Sequence, residues 1–149
     1  AIFFAKGVLE TIKRLNWSPD IIHIHGWMAS LLPLYMNEFY KEEPIFQKSK
    51  IITSLYKNEF EQTLSDKMMK KIMFDEIDKK KVEVLKKATY ENLIKLAIDF
   101  SDGLIIGSEN VSEGITSYLK QSKKPSLEYH PMDSFSDHYL EFYEKFLNN

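Results

Sequence analysis

Apolar residues (Ile2, Phe3, Val8, Leu9, Ile12 and Leu15) recur at helical spacing over residues 2–15, and Ser18, Pro19 and Asp20 then break the pattern. IIHIH (21–25) follows as a short strand. Helical periodicity resumes from Trp27 to about Tyr40, with Pro33 expected to remove a backbone bond and bend that helix. KIITSLY (50–56) is a β-branched run of strand length. Residues 57–87 are charged and methionine-rich, with short helices expected to start near Ser65 and Asp78. Leu93, Leu96, Ala97 and Phe100 mark a helix over Tyr90–Ser101, which Gly103 is expected to stop before the buried-type strand GLIIG. Ser108 is the expected cap of a helix over 109–120, and SLEY (126–129) reads as a fourth strand. Ser134 and Asp137 resemble a capping box opening a last helix, about 134–147, whose stripe of Phe135, Tyr139, Phe142 and Phe146 reads as core packing.

Short strands alternating with helices predict one α/β domain over residues 1–149, a partial doubly wound, Rossmann-like, mostly parallel sheet flanked by helices. In such sheets ligands gather beyond the carboxyl ends of the strands. That places the end of PDIIHIHGW where chemistry is expected. His23 and His25 lie on one strand face, His25 at or just past the last strand position, and Gly26 permits a tight turn into the next helix. A strand-end histidine also serves as a plain hydrogen-bond partner for a neighbouring loop, and Trp27 reads as a hydrophobic anchor before it reads as a stacking platform. A metal at the histidine pair is disfavoured, because the nearest carboxylate in sequence, Asp20, sits at the strand's other end. Neither a metal nor a cofactor is expected.

The 149 residues, 44% hydrophobic and 28% charged, suit a folded soluble domain with a real core. A net charge of −2 supplies no broad positive field, so nucleic acid is not an expected partner. With no cysteine there is no disulfide, thiolate metal site or cysteine nucleophile, and cytoplasm is the expected location. No apolar run reaches the roughly 18 residues of a membrane-spanning helix. Lys6, Glu10 and Lys13 interrupt the apolar start, which therefore reads as an amphipathic helix and not as an export signal. The chain starts without methionine, and an upstream extension is expected. If upstream strands pair with IIHIH in the natural protein, its bare edge calls for a homodimer or for pairing with that upstream segment.

AIFFAKGVLETIKRLNWSPDIIHIHGWMASLLPLY resembles the glycogen and starch synthase family of retaining, nucleotide-sugar-dependent glucosyltransferases, in its aromatic-rich helix, a PD-apolar-apolar-H-x-H-D-W pattern and a following helix. NLIKLAIDFSDGLIIGSENVSEGI (92–115) is similar to a later segment of that family, and the resemblance runs weakly to about residue 129, nearest to short bacterial members with only an amino-terminal domain. It implies the GT-B arrangement of two Rossmann-like domains, of which this is the carboxyl-terminal part of the first. It further implies that His25 and Asn92 contact the transferred glucose, beside Gly26 and Trp27, with nucleotide-glucose and α-glucan as ligands. Orientation and transition-state hydrogen bonding would be their role, since retention in the family is attributed to the leaving group.

Departures from the family weigh against transfer. Gly26 replaces the usual acidic residue, Thr53-Ser54-Leu55-Tyr56 stands where the family has T-V-H-N, and LEYHPMD (127–133) lacks the glycine of an N-G-I-D-like turn. The family's glycine-rich loop and second-domain cations are not in this sequence, so a departing diphosphate would go unneutralised. The expectation is a synthase-like domain not competent alone, the alternative a non-catalytic glucan- or protein-binding module of the same descent. An unrelated small-molecule binder with convergent strand-turn-helix patterning ranks last.

Overall fold

A computed structural model describes residues 1–131 and 133–147; Met132 of the LEYHPMD turn and residues 148–149 lie outside it. The first helix, α1 (Ile2–Arg14), buries Ala5, Leu9 and Ile12, and Lys13 and Arg14 in its last turn complement the helix dipole. Asn16, in the left-handed region at φ 49°, closes it. Strand β1 (Ile21–Ile24) leads through a 3₁₀ turn, Trp27–Ala29, into α2 (Leu32–Tyr35) and a π-helical turn, Met36–Tyr40. After β2 (Lys50–Leu55) come α3 (Met68–Met73), a 3₁₀ stretch over Lys79–Lys86 capped by the Asp78 carboxylate, and α4 (Tyr90–Phe100), capped by the Thr89 hydroxyl. Strand β3 (Gly103–Ile106), α5 (Glu113–Ser122), β4 (Ser126–Leu127) and α6 (Phe135–Leu147) complete the order.

All four strands are parallel and run β1-β2-β3-β4 across the sheet. Alternation along them separates two faces. On one, Ile22, Ile24, Ile51, Leu55, Leu104 and Ile106 pack against helices that precede or connect the strands, meeting Leu9 of α1, Leu34 of α2, Ile72 of α3, Leu93 of α4 and Ile115 of α5. Each fully buried Leu or Ile there contributes about 1.5–3 kcal/mol. On the other, Ile52 and Ile105 meet Phe142 of α6, flanked by Tyr139, Tyr143 and Phe146. Helices thus cover both faces, as expected. Among the described residues no helix is long and apolar enough to cross a membrane.

Four local expectations are corrected. Pro33 starts a helix instead of bending one: it lies in the first turn of α2, where its missing N–H has no intrahelical partner to lose. Gly103 does not stop α4, which ends when Ser101 turns extended and its hydroxyl bonds back to the Ala97 carbonyl at 2.7 Å. Gly103 is instead a socket in β3, because a Cβ there would lie 2.5 Å from Phe146 Cζ of α6. Ser108 caps no helix; it accepts the Lys57 N–H at 2.9 Å, and Ser112 caps α5. Only part of the α6 stripe is core, since Phe142 is 1% exposed but Phe135 36%.

Candidate functional site

His23 and His25 share a strand face, as alternation requires, with ring centroids 4.1 Å apart, yet their surroundings differ. His23 lies under α6. Its Nδ1 is 2.5 Å from the Tyr143 hydroxyl and its Nε2 2.8 Å from the Ser54 hydroxyl, and each hydroxyl can donate or accept, so both ring nitrogens are satisfied in either neutral tautomer. Burial, assisted by the neighbouring His25, lowers its pKa to about 3. His25 lies one residue past the strand end and is exposed. Its Nδ1 pairs with the Tyr56 hydroxyl at 2.6 Å, and its Nε2 has no hydrogen-bond partner among the described residues. Partial burial lowers the His25 pKa as well, so a neutral imidazole with one uncommitted nitrogen stands at the exit of β1.

Two adjoining cavities, of about 610 and 470 Å³, have His25, Tyr56, Lys57 and Ser108 in common. The larger opens toward Asn110, Tyr129, His130, Phe135 and Tyr139. The smaller opens toward Gly26, Asn58 and Glu59. Gly26 is a position that only glycine readily fills: φ 74° with ψ 162° is a conformation L side chains avoid. The space above it is held by Glu59, whose Oε1 would lie 3.4 Å from a Cβ at Gly26 and accepts the Trp27 N–H at 3.2 Å. A carboxylate therefore stands at the turn after all, brought from the loop after β2. Tyr56, which sequence comparison marks as the loss of a polar residue, returns a hydroxyl to His25 while its ring lies on Gly107, where a Cβ would be 2.6 Å from Tyr56 Cε1.

The other expected site residues lie elsewhere. Asn92 lines a separate cavity of about 430 Å³ with Thr89 and Glu91, which touches the smaller His25 cavity at Asn58. Its side-chain amide donates to the Lys87 carbonyl at 2.7 Å, closing the turn before α4. Trp27 packs edge-on against Phe60, at 5.3 Å between centroids, and lines an apolar groove beside α1 and α3. Nothing in the sequence marks Lys57, Glu59, Tyr129, His130, Phe135 or Tyr139 as cleft residues, for they lie on loops or in a stripe whose period says helix and nothing of what the helix faces.

A family model described as the starch synthase catalytic domain matches residues 1–126. The chain belongs to that family. Glycogen synthases of Chlorobium phaeovibrioides and Chlorobaculum parvum are 34% and 32% identical to it over 114 and 120 residues, covering 76% and 78% of this chain and 23% of each relative. The glycogen synthase of Clostridium perfringens is 28% identical over 123 residues. The chain thus spans about a quarter of the length of the curated relatives it matches. Among solved structures, the catalytic domain of starch synthase IV from Arabidopsis thaliana, bound to ADP and acarbose, superposes at a TM-score of 0.65 with 17% identity, covering 85% of this chain and 28% of that one. The shared fold is a glycosyltransferase α/β domain. The starch synthase match ends at residue 126, so Tyr129, His130, Phe135 and Tyr139, which wall the larger cavity, lie beyond the matched region.

Proposed function

We propose that the His25 cleft binds a glucosyl unit, of a nucleotide-glucose or an α-glucan, and that the 149-residue chain alone binds the sugar without transferring it. The observation that carries this reading is the uncommitted His25 Nε2 at a parallel strand's exit, inside a cavity whose lining mixes aromatic rings with hydroxyl, amide and carboxylate groups. A neutral imidazole there donates or accepts a hydroxyl hydrogen bond without an ionic desolvation cost. The starch synthase family supports the sugar class. Lack of transfer rests on charge: among the described lining residues Lys57 is the single ammonium, opposed by Glu59 and Glu109, so little offsets the negative charge of a departing diphosphate.

Isothermal titration with ADP-glucose, UDP-glucose and malto-oligosaccharides tests the binding half, with heat expected for at least one ligand and none in a folded His25→Ala variant. A radiolabelled glucosyl-transfer assay on the same chain tests the other half. Sustained turnover would overturn it.

A second reading, a protein-binding module, rests on β1, an outer strand of the sheet with one backbone edge unpaired among the described residues. Its proposed occupant is the same edge of a second copy. Sedimentation at high micromolar concentration is expected to show a dimer, and a stable monomer would count against it.

A further inference from the structure

We propose that Tyr129, Phe135 and Tyr139, beyond the family-matched region, form a ring-stacking wall of the His25 cleft that takes the apolar face of a pyranose. The inference deepens the glucosyl-binding reading and rests on it. The larger cavity joins two chemistries. Tyr129, Phe135 and Tyr139 supply aromatic rings, and His25, Lys57, Ser108, Glu109 and Asn110 supply hydrogen-bonding groups. A pyranose matches this division, because its ring C–H bonds make an apolar face that suits the negative face of an aromatic ring, while its rim of hydroxyls needs both donors and acceptors. A volume of about 610 Å³ is ample for such a ligand.

The wall is held before any ligand arrives. Phe142 anchors α6 with 1% exposure, Phe146 fills the space a side chain at Gly103 would take, and the Tyr143 hydroxyl is 2.5 Å from His23 Nδ1. His130 stacks on His138 with centroids 3.6 Å apart at 15°, which clips the chain after β4 to α6. Phe135 meets Tyr139 edge-to-face at 5.1 Å, so each ring limits the other's rotation. A wall fixed in this way adds little ordering cost on binding. Phe135, 36% exposed, lines the cavity together with the half-buried Tyr139, so both rings are within reach of a ligand there.

The test is isothermal titration of the 149-residue chain with maltoheptaose and, separately, ADP-glucose, in wild type, Phe135→Ala, Tyr139→Leu, Tyr139→Phe and His25→Ala, each checked for folding by its thermal midpoint. Phe135→Ala and Tyr139→Leu are expected to weaken maltoheptaose about tenfold, and Tyr139→Phe, which keeps the ring, to leave it nearly unchanged. Titration should also shift the Tyr129 and Tyr139 ring-proton resonances, a readout that does not depend on how any variant folds. Weakening confined to ADP-glucose supports the wall and identifies the nucleotide-sugar as the source of the pyranose. Binding that survives both ring deletions but is lost in His25→Ala overturns the wall and leaves the cleft reading intact. No heat with either ligand in wild type overturns both.

Discussion

The two faces of this sheet are built by different rules. The face toward α1–α5 is closed mainly by apolar side chains, with Ile24, Ile51, Leu55 and Leu104 each at most 4% exposed and one buried polar contact, Thr53 with Ser101 at 2.6 Å, so its energetics are chiefly those of area removed from water. The face toward α6 alternates apolar with polar: Ile52 and Ile105 are fully buried, while His23 and Ser54 make a hydrogen-bonded pair that requires a partner on α6. Apart from the Thr53 contact, the first arrangement tolerates apolar side chains of similar volume, whereas the hydrogen bonds of the second favour one helix in one register. Only the second face continues, past the strand ends, into the His25 cleft. Stability is concentrated on one side and the proposed recognition on the other, where a single helix serves both.

The largest expected effect is on the anchor of that helix. Phe142→Ala removes a side chain that is 1% exposed, for a loss of about 3–5 kcal/mol. Urea unfolding reads the loss, and hydrogen exchange should show α6 amides opening well before those of α4, because α6 has contacts on one sheet face alone. If α4 and α6 opened together, the two faces would be one cooperative unit and the contrast between them would fail.

Acidification comes next. The His23 pKa is lowered from 6.5 to about 3 in the fold, so between those values the unfolded chain binds a proton that the folded chain does not. The stabilising contribution of the neutral ring is therefore complete above about pH 6.5 and is lost as pH falls toward 3. At about 1.4 kcal/mol per unit, the drop from pH 6.5 to 5 amounts to about 2 kcal/mol. His25, shifted in the same direction, adds to it. Urea midpoints at pH 7 and 5 measure the slope, which should flatten in His23→Gln. A slope unchanged by that substitution would mean that the buried imidazole does not set the acid response.

Tyr143→Phe removes the hydroxyl facing His23 and keeps the ring, and about 1 kcal/mol is expected to be lost. Ser54 still satisfies the other nitrogen, so the imidazole remains neutral and buried. A loss much above that would show that the pair acts as a cooperative network.

The sequence made the first of these faces more legible than the second. Alternation in IIHI and KIITSL and the 3.6-residue period of Tyr90–Phe100 lie in the chain itself, and they place Ile22, Ile51 and Leu93 in a core without reference to anything distant. The α6 stripe has the same period, but no local pattern says that Phe142 meets Ile52 while Tyr139, three residues earlier, reaches the cleft. Gly103 was legible as a special position and misread as to kind, since a glycine beside a helix end and a glycine making room for a ring 43 residues away are identical in sequence. At the site, His25 was legible from strand alternation and the glycine after it. Glu59 was not, because a loop folds it over Gly26 and no periodicity records where a loop's carboxylate lands. Asn92 was marked by resemblance alone, and its side chain bonds the Lys87 carbonyl, within its own turn.

The smallest stability effect belongs to the residue with the largest proposed role. His25 is exposed, its one hydrogen bond among the described residues goes to Tyr56 at the cleft's edge, and the Tyr56 hydroxyl can turn to water when the imidazole is gone. His25→Ala should therefore change unfolding free energy by no more than about 0.5 kcal/mol, while His23→Ala leaves the Tyr143 and Ser54 hydroxyls without their shared partner and costs about 2 kcal/mol or more. Two histidines two residues apart on one strand would then differ several-fold in structural weight for one reason, whether a helix lies over them. Denaturation of both variants at pH 7.5, where each ring is neutral in the wild type, makes the comparison free of titration. Equal losses would mean that His25 is fixed in place for packing, and the case for an imidazole held ready for a ligand would lose its physical basis.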